Sequence, residues 1–578
     1  MPTAPTIVDQ PVANDDFTQQ YADLLEGRYD CVDRIILRAY NSLCSSPGGF
    51  RYWWRALTGS DESLDDAHLV SLAGRFARRV RAWAKQNGVE VIDCGRGERK
   101  HEIAEEYLAT HPVRAGVFLI LVARASAPVW EVTRSKSAVL VNLGRKQSFV
   151  NHYSFHIWDS EVGHFTIKMS GHPPFGAQVM LNGHEYVGVQ AARSGIAFTK
   201  EGNCFTATAD PAALARLAGT LADEAAAGRL REVCERWIYT ACLLFGLDLA
   251  EQERTRFRYD YSVYQLEYSR NLLFRTGAQM ESVFEAFVDR NRSHLDLREM
   301  RAIFGKGRHS IDRTDGDARA RAALGGRSRY GLSIFKLHFG KLTFKAYTKG
   351  RSVLRFEAIA HNTAELGCRR AIAHFAEVVT RLRAILERAL SVLHGMDRAF
   401  VSDDTLERLP LPSQVGRTRV GGVDIGKPRM RAVLGAVLAL AAAPAGFTAG
   451  ELAAKVTQLG GPAVSGYDSR RASYDLKKLR GKELVAKREH SHRYQLSAKG
   501  VPTITALVVI REKLLRPLLA ATAHPHSPIK LMHRPNLAFW DRADVRYQQL
   551  RRAMRALLRD LRLLPHPQTF VDVLPASA

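Results

Sequence analysis

The sequence predicts a multidomain chain of mixed α/β and α+β class. Its 578 residues are enough for about three to five domains, each with its own core. Apolar residues recur with helical spacing in some segments and alternate as in strands in others. Hydrophobic residues make up 46% and charged residues 25% of the chain, as in globular proteins. No apolar run reaches the ~18–20 residues of a membrane span.

The N-terminal third is predicted to be an α/β body. Residues 1–15, with three prolines and no periodicity, are expected to be a flexible tail, and the body covers 16–210. Within it "LAGRFARRVRAWAKQNG" predicts a helix ending at Gly88, "VEVIDC" a short strand and "GVFLILVARA" a buried strand. Asn182-Gly183 has the composition of a hairpin turn.

The middle of the chain is predicted to be helical. Residues 211–304, including "YSVYQLEYSRNLLF", form this helical region, and the polar residues 305–330 form a linker. Residues 331–400 then predict a small β-hairpin plus a long helix, with Gly350 in the turn.

The hairpin carries a first set of candidate functional residues. Strict alternation places Lys345 and Tyr347 on one face of the first arm, and Arg355 and Glu357 on one face of the second. We therefore expect a polar cluster across the two strands, formed either by cross-strand ion pairs or by a DNA-contacting face with Glu357 as base or metal ligand. The segments "YTKG" and "LRFE" are loosely similar to a strand pair in replication initiators and uncharacterised mobile-element proteins of bacteria.

The C-terminal part predicts a compact basic module. After a linker at 401–428, residues 429–500 contain three helical segments and two short strands, and a basic helical segment follows at 501–578. The stretch "SRRASYDLKKLRGKELVAKREHSHRYQLSAKG" holds ten Lys and Arg against three Asp and Glu. This order of elements resembles the MarR and ArsR class of winged-helix DNA-binding domains, so a C-terminal winged helix-turn-helix is expected.

The resemblance implies which residues contact DNA. Its third helix would enter the major groove and its hairpin would reach the neighbouring backbone. The residues on these two elements are Arg470, Arg471, Tyr474, Lys477, Lys478, Arg480, Lys487, Arg488, His492 and Arg493.

Charge and cysteine usage bear on partners and location. The net charge of +24 favours a polyanionic partner, double-stranded DNA first and single-stranded DNA or RNA as alternatives. No lipidation motif or apolar leader supports a membrane partner. The seven cysteines include no CxxC pair, so we expect reduced thiols and a cytoplasmic protein.

Two further patterns indicate catalysis. His152, His156, Asp159 and Glu161 have metal-binding chemistry and suggest a divalent ion such as Mg²⁺ or Mn²⁺, although their spacing fits no specific motif. Tyr264 and Tyr268 are four residues apart and, on a helix, would form a pair of nucleophiles. For both sets the structural alternative is a polar strand face or an aromatic core.

The functional hypothesis from sequence is a DNA-binding protein of mobile-element or replication-initiator type, in which the winged helix reads duplex DNA and the basic body holds nucleic acid. The alternatives are a metal-dependent nuclease or transposase-like enzyme, a transcription regulator with a ligand- or partner-binding body, and an RNA-binding protein. The sequence leaves the target site, the oligomeric state and the reaction open.

Overall fold

The chain divides into two compact units. The computed structural model describes residues 15–95, 97–111, 115–134, 141–294, 334–339, 341–397, 403–441, 446–488, 491–497 and 499–509, with residues 549 and 553. The larger unit contains residues 1–397, 439–448 and 488–495, and the smaller unit contains 398–438, 449–487 and 496–578. The predicted linker 305–330, residues 1–14 of the predicted tail and most of the segment 501–578 lie outside the described residues.

A large mixed sheet is the framework of the larger unit. The strands of this unit are β1 (Leu25–Tyr40), β2 (Glu90–Asp93), β3 (Gly116–Arg134), β4 (Val141–Asp159), β5 (Gly163–Ser170), β6 (Ala177–Asn182), β7 (Phe198–Lys200), β8 (Phe205–Thr208), β9 (Asp260–Phe274), β10 (Ile334–Phe339), β11 (Leu342–Lys349) and β12 (Val353–Ala360). Ten of them form one sheet in the order β10-β11-β12-β9-β1-β6-β5-β4-β3-β2, and β7 pairs with β8. Only β2 and β3 are parallel among the pairs described.

Helices pack on both faces of this sheet. They are α1 (Asp16–Gln20), α2 (Pro47–Thr58), α3 (Asp66–Asn87), α4 (Lys100–Thr110), α5 (Gly183–Arg193), α6 (Pro211–Gly219), α7 (Ala226–Trp237), α8 (Leu249–Arg254), α9 (Gly277–His294) and α10 (Phe375–Asp397). Helix α3 ends at Gly88, as predicted, because Gly88 takes a left-handed conformation with φ of 64°. The fold of this unit is therefore mixed α/β, as predicted.

The prediction of a helical middle is wrong for one segment. Residues 260–274 form strand β9, which lies inside the sheet between β1 and β12. The hairpin β11–β12 joins the same sheet through the pairing of β12 with β9. The predicted body, helical region and hairpin unit thus share one sheet instead of forming separate domains.

The predicted hairpin turn at Asn182-Gly183 is instead the junction of β6 and α5. The Asn182 side chain accepts a hydrogen bond from the His184 backbone N–H and caps the helix. A Cβ on Gly183 would lie 1.7 Å from the Val32 carbonyl oxygen, so the close approach of helix and strand requires glycine here. This junction fixes where His184 lies relative to β1.

The last residue of the predicted tail is anchored. Asp15 caps α1 by accepting from the Thr18 backbone N–H at 2.7 Å. Its other carboxylate oxygen accepts from Arg270 Nη1 at 2.5 Å, and both side chains are buried. A buried arginine needs such partners because an unpaired charge in the interior is strongly unfavourable.

The smaller unit is built mainly from short helices. The elements between residues 403 and 509, most of which belong to this unit, are α11 (Asp403–Arg408), β13 (Ser413–Val415), β14 (Thr418–Val420), α12 (Pro428–Ala439), α13 (Ala449–Gly460), α14 (Ser469–Gly481), β15 (Val485–Lys487), β16 (Tyr494–Leu496) and α15 (Gly500–Val509). The predicted linker 401–428 therefore contains a helix and the hairpin β13–β14. Helix α14 begins after Asp468, whose side chain accepts from the Arg471 backbone N–H.

In the described part of the chain, no helix is long and apolar enough to cross a membrane.

Candidate nucleic-acid interface and polar sheet face

One face of the large sheet is polar across neighbouring strands. Lys345 lies opposite Glu357, and Glu357 lies opposite Ser269 on β9, which in turn lies opposite Cys31 on β1. Because side chains of paired residues point to the same face, these four strands present one continuous polar surface. Part of this surface is closed and part is open to solvent.

The closed cluster consists of buried polar residues around β1, β9 and β12. Its members are Asp33, His184, Ser269, Asn271, Arg355 and Glu357. Asp33 accepts from Ser269 Oγ at 3.1 Å, and its Oδ1 lies 2.8 Å from His184 Nδ1. Its other oxygen accepts from Arg355. Both oxygens of this buried carboxylate are therefore engaged.

Arg355 is the centre of the closed cluster. Its Nε donates to Glu357 at 2.8 Å and its Nη1 donates to Asn271 at 3.0 Å and to the Asn203 carbonyl at 2.6 Å. Arg355 is 0% and Asp33 1% exposed, so the pair is removed from water. Burial opposes ionisation of Glu357, but the charges of Arg355 and Lys345 outweigh it and lower the pKa of Glu357.

The cross-strand cluster predicted for the hairpin is present. Lys345 Nζ lies 3.2 Å from Glu357 and the Tyr347 hydroxyl donates to Glu357 at 2.6 Å. The Glu357 carboxylate is thus held by Lys345, Tyr347 and Arg355 at once. Such a carboxylate is a weak base, which argues against Glu357 as a proton acceptor.

Glu267 is a candidate residue that the sequence did not reveal. A bulge in β1 places Asp33 and Arg34 opposite Glu267, because Val32 pairs with Tyr268 and Ile35 with Leu266. Burial and the charges of Asp33 and Glu357 raise the pKa of Glu267, while Arg34 and Lys345 oppose the shift. The sequence could have revealed Glu267 only if residues 260–274 had been predicted as a strand, because the strand pairing is what places Glu267 opposite Asp33 and Arg34.

The open stripe is the solvent-facing part of the same surface. We define it as Lys168, Gln178, Arg34, Arg38, Tyr264 and Gln265. Lys168 lies opposite Gln178, Gln178 opposite Arg38, and Arg38 opposite Ser262, so one row crosses β5, β6, β1 and β9. Arg34 and Arg38 are exposed, and the others are half-buried. The Arg38 guanidinium lies 3.6 Å from the centre of the Tyr264 ring.

The described residues contain a group of possible metal ligands at Cys31, Asp33 and His184, whose ligand atoms all lie within 4.8 Å of one another. The arrangement does not fit a resident metal. Asp33 already neutralises Arg355, and burial together with Asp33 raises the pKa of Cys31 well above its usual value, so the thiolate is disfavoured. A metal here would compete with Arg355 for the Asp33 carboxylate.

The histidines predicted as metal ligands do not converge with the carboxylates. His152 and His156 share a face of β4 but lie ~13 Å apart along the strand. His156 Nδ1 contacts His164 Nε2 at 3.1 Å, and burial lowers the pKa of His156 to about 3. Strand β4 is five strand spacings from β12, about 24 Å, so these histidines are far from Glu357.

Asp159 and Glu161 have a structural role. Trp237 Nε1 donates to Asp159 at 2.7 Å, and Arg236 pairs with Asp159 at 2.9 Å and with Glu161 at 3.0 Å. Burial raises the pKa of Asp159, but the Trp237 and backbone hydrogen bonds outweigh it and lower the pKa. The four predicted metal ligands therefore form no common site.

The two tyrosines predicted as nucleophiles lie on opposite faces of β9. Tyr264 stacks with Arg38 on the polar face. The Tyr268 hydroxyl is buried on the other face and donates to Asp30 at 3.0 Å. The helical spacing on which a paired mechanism depends is absent, so the prediction of a tyrosine pair is wrong.

A second polar surface lies on α14. Arg470, Arg471 and Tyr474 are exposed, and Lys477, Lys478 and Arg480 are half-buried. Ala472, Leu476 and Leu479 are buried on the opposite side, as the helical spacing predicts. Lys478 Nζ lies 5.0 Å from the centre of the Tyr474 ring. These arginine and lysine side chains thus lie on the solvent side of the helix.

The inner side of α14 is fixed by a buried carboxylate. Asp475 accepts from the Tyr467 hydroxyl at 3.0 Å and from Arg429 on α12 at 3.2 Å. Burial raises the pKa of Asp475, and the Arg429 charge opposes this shift. These bonds set the rotation of α14 about its axis.

The cations predicted on the β15–β16 hairpin are accessible. Lys487 and His492 are exposed, and Arg488 and Arg493 are half-buried. The hairpin is closed by the Arg488 backbone N–H donating to the Arg493 carbonyl at 2.9 Å.

No family model, curated protein or solved structure matches the chain.

Proposed function

We propose that the chain is a DNA-binding protein of mobile-element or replication-initiator type. In this proposal α12, α13, α14 and the hairpin β15–β16 act as a winged helix that reads duplex DNA, and the larger unit holds nucleic acid. The observation that carries it is the solvent side of α14, where Arg470, Arg471 and Tyr474 are exposed. An α-helix with such a face fits the major groove.

The electrostatics support this choice of partner. The segment 428–500 holds 13 Lys and Arg against five Asp and Glu, a charge of +8, and the whole chain carries +24. Cations that displace counterions from phosphates supply most of the sequence-independent affinity for DNA. The buried anchor at Asp475 supports a fixed orientation of the basic face, which base recognition requires.

The test is duplex binding by the full chain and by the variant Arg470→Ala/Arg471→Ala, measured by fluorescence anisotropy over a range of salt concentrations. Removing two phosphate contacts should reduce the slope of log affinity against log salt by about 1.8. The control is Arg78→Ala/Lys85→Ala, which removes two exposed cations from α3. Equal losses in the two variants would contradict the proposal and indicate a diffuse charge effect.

A second candidate function is phosphodiester cleavage, and Glu267 is the observation that favours it. The pKa of Glu267 is raised by burial and by the charges of Asp33 and Glu357, and the pKa of Glu357 is lowered. Two neighbouring carboxyls whose pKa values are pushed apart are typical of acid–base catalysis. Glu267 would give its proton to the leaving oxygen as water attacks phosphorus and the P–O bond breaks, and the proton of the attacking water would pass to solvent.

End-labelled single- and double-stranded DNA incubated with Mg²⁺, Mn²⁺ or EDTA tests cleavage. Glu267→Gln should abolish it and leave DNA binding intact. The absence of products from the native chain under all conditions would refute this candidate.

We also propose that the protein acts in the cytoplasm. The support is the composition: seven cysteines that are all free thiols, of which Cys31, Cys44, Cys204, Cys234 and Cys242 are buried.

A further inference from the structure

The open stripe and the helices beside it form a surface of the larger unit, to which the proposed function gives nucleic acid without naming the residues that hold it. Its row of Lys168, Gln178 and Arg38 crosses three strands, and Arg34 adds a cation beside it. At the strand spacing of ~4.8 Å, Lys168 and Arg38 are ~10 Å apart. Two to three phosphates of one chain can therefore meet cations along this row.

Among the described residues, Lys168 has no oppositely charged partner that would explain its burial. It is half-buried, and burial together with the charge of Lys100 lowers its pKa. His152 is close to both lysines, and burial followed by Lys168 lowers the pKa of His152 to about 4. Lys100 is the first residue of α4, whose N-terminus has no side-chain cap. Like charges gathered at an uncapped helix start favour an anion.

The opposite end of the row offers a planar surface. The Arg38 guanidinium carbon lies over the Tyr264 ring, 3.6 Å from its centre, and Arg38 is exposed to solvent. A guanidinium plane backed by an aromatic ring stacks a nucleobase and contacts phosphate at the same time. Gln178 lies between Lys168 and Arg38 in the row, and its half-buried side chain supplies an amide donor and acceptor for base edges. Gln265 is half-buried on β9 opposite Ile36, and its Nε2 donates to Glu267 at 3.0 Å, which leaves its amide oxygen as an acceptor.

We propose that the open stripe binds single-stranded DNA. The surface is the broad face of a ten-stranded sheet, which cannot enter a duplex groove, since a groove admits a helix or a two-stranded ribbon. A single strand has unstacked bases that reach Arg38 and Tyr264, whereas a duplex keeps its bases stacked. The choice of DNA over RNA rests on the proposed function.

Anisotropy with a labelled mixed-sequence oligodeoxynucleotide tests the proposal on the full chain. Arg34→Ala/Arg38→Ala should weaken single-strand binding about tenfold and reduce its salt slope by about 1.4. The same variant should bind duplex as the native chain does. The control Arg78→Ala/Lys85→Ala removes two cations from α3, on the other face, and should leave both affinities unchanged.

Substitutions of Tyr264 give a second measurement, which does not depend on the charge of the surface. Tyr264→Phe should keep single-strand affinity because the ring remains, and Tyr264→Leu should lose it. Equal affinities of the native chain and Arg34→Ala/Arg38→Ala would overturn the proposal, and so would equal losses in the α3 control. Tighter binding of the matching RNA would overturn the assignment to DNA. Loss of duplex binding in Arg470→Ala/Arg471→Ala, with single-strand binding retained, separates this site from the proposed function.

Discussion

The closed cluster and the open stripe lie on the same face of the same sheet and share strands β1 and β9, yet their charged side chains have opposite environments. In the closed cluster Arg355 donates to Asp33, Glu357 and Asn271, and all are shielded from water. In the open stripe Arg34 and Arg38 are exposed. Burial forces the first set to be paired, whereas hydration lets the second remain available.

The difference shows that charge on a strand does not by itself identify a binding surface. Glu357 is the most conspicuous acid of the hairpin, but its carboxylate already binds Lys345, Tyr347 and Arg355. A carboxylate held by three donors stabilises a local structure and has little capacity left for substrate. We therefore assign ligand binding to the residues that solvent reaches.

Arg355→Leu tests the comparison with the largest expected effect. Leucine would leave Asp33 and Glu357 without their buried counterion, and breaking such a pair costs about 3–5 kcal/mol. We expect a lower free energy of unfolding of the larger unit, measured by urea denaturation.

Arg38→Leu is the matched substitution in the open stripe. Because Arg38 is exposed, its loss should change the free energy of unfolding by about 1 kcal/mol or less. Similar losses in Arg355→Leu and Arg38→Leu would remove the distinction between the closed cluster and the open stripe.

The hairpin part of this site follows from sequence because its rules are local. The register of β11 with β12 is unbroken from the pair Leu342–Ala360 to the pair Lys349–Val353, and Gly350 takes the left-handed conformation, with φ of 58°, that the turn requires. Lys345 therefore faces Glu357 as predicted. The same holds for α14, where the spacing of Ala472, Leu476 and Leu479 identifies the buried side.

The rest of the site could not be predicted because β9 does not alternate. Bulges in the pairing of β1 with β9 change the spacing of buried residues, so that Val263, Leu266 and Tyr268 are separated by three and then two positions. A gap of three is typical of a helix. From Tyr268 onward β9 is buried on both faces, which removes the remaining periodicity. Glu267 and its neighbours were hidden by this pattern.

Tyr347→Phe is a smaller test within the closed cluster. It removes the hydroxyl that donates to the Glu357 carboxylate at 2.6 Å, and a hydrogen bond to a charged group contributes about 1.5–3 kcal/mol. Thermal and urea unfolding should show this loss. Tyr264→Phe, made in the open stripe, should leave stability within about 0.5 kcal/mol of the native value. A larger loss from Tyr264→Phe than from Tyr347→Phe would reverse the roles given to the two regions.

Glu267→Gln has the smallest expected effect on stability. It tests Glu267, which lies between the closed cluster and the open stripe on β9. Burial and the charges of Asp33 and Glu357 raise the pKa of Glu267 in the folded state. The folded chain therefore binds this proton more tightly than the unfolded chain, and the cost of the charged carboxylate appears as pH rises through the folded pKa. Glutamine keeps the shape without the charge. The variant should match the native chain near pH 4 and melt about 1–3 °C higher at pH 8.

Melting curves of Glu267→Gln and the native chain between pH 4 and pH 8 measure this difference. The control is Glu26→Gln on β1, where the side chain is exposed, so that the substitution should change the melting temperature little. A constant difference across the pH range for Glu267→Gln would mean that Asp33 and Glu357 do not act on Glu267. In that case Glu267 belongs with the hydrated residues of the open stripe. It would then be unsuited to act as a general acid, because a general acid needs a raised pKa to keep its proton at the pH of the reaction.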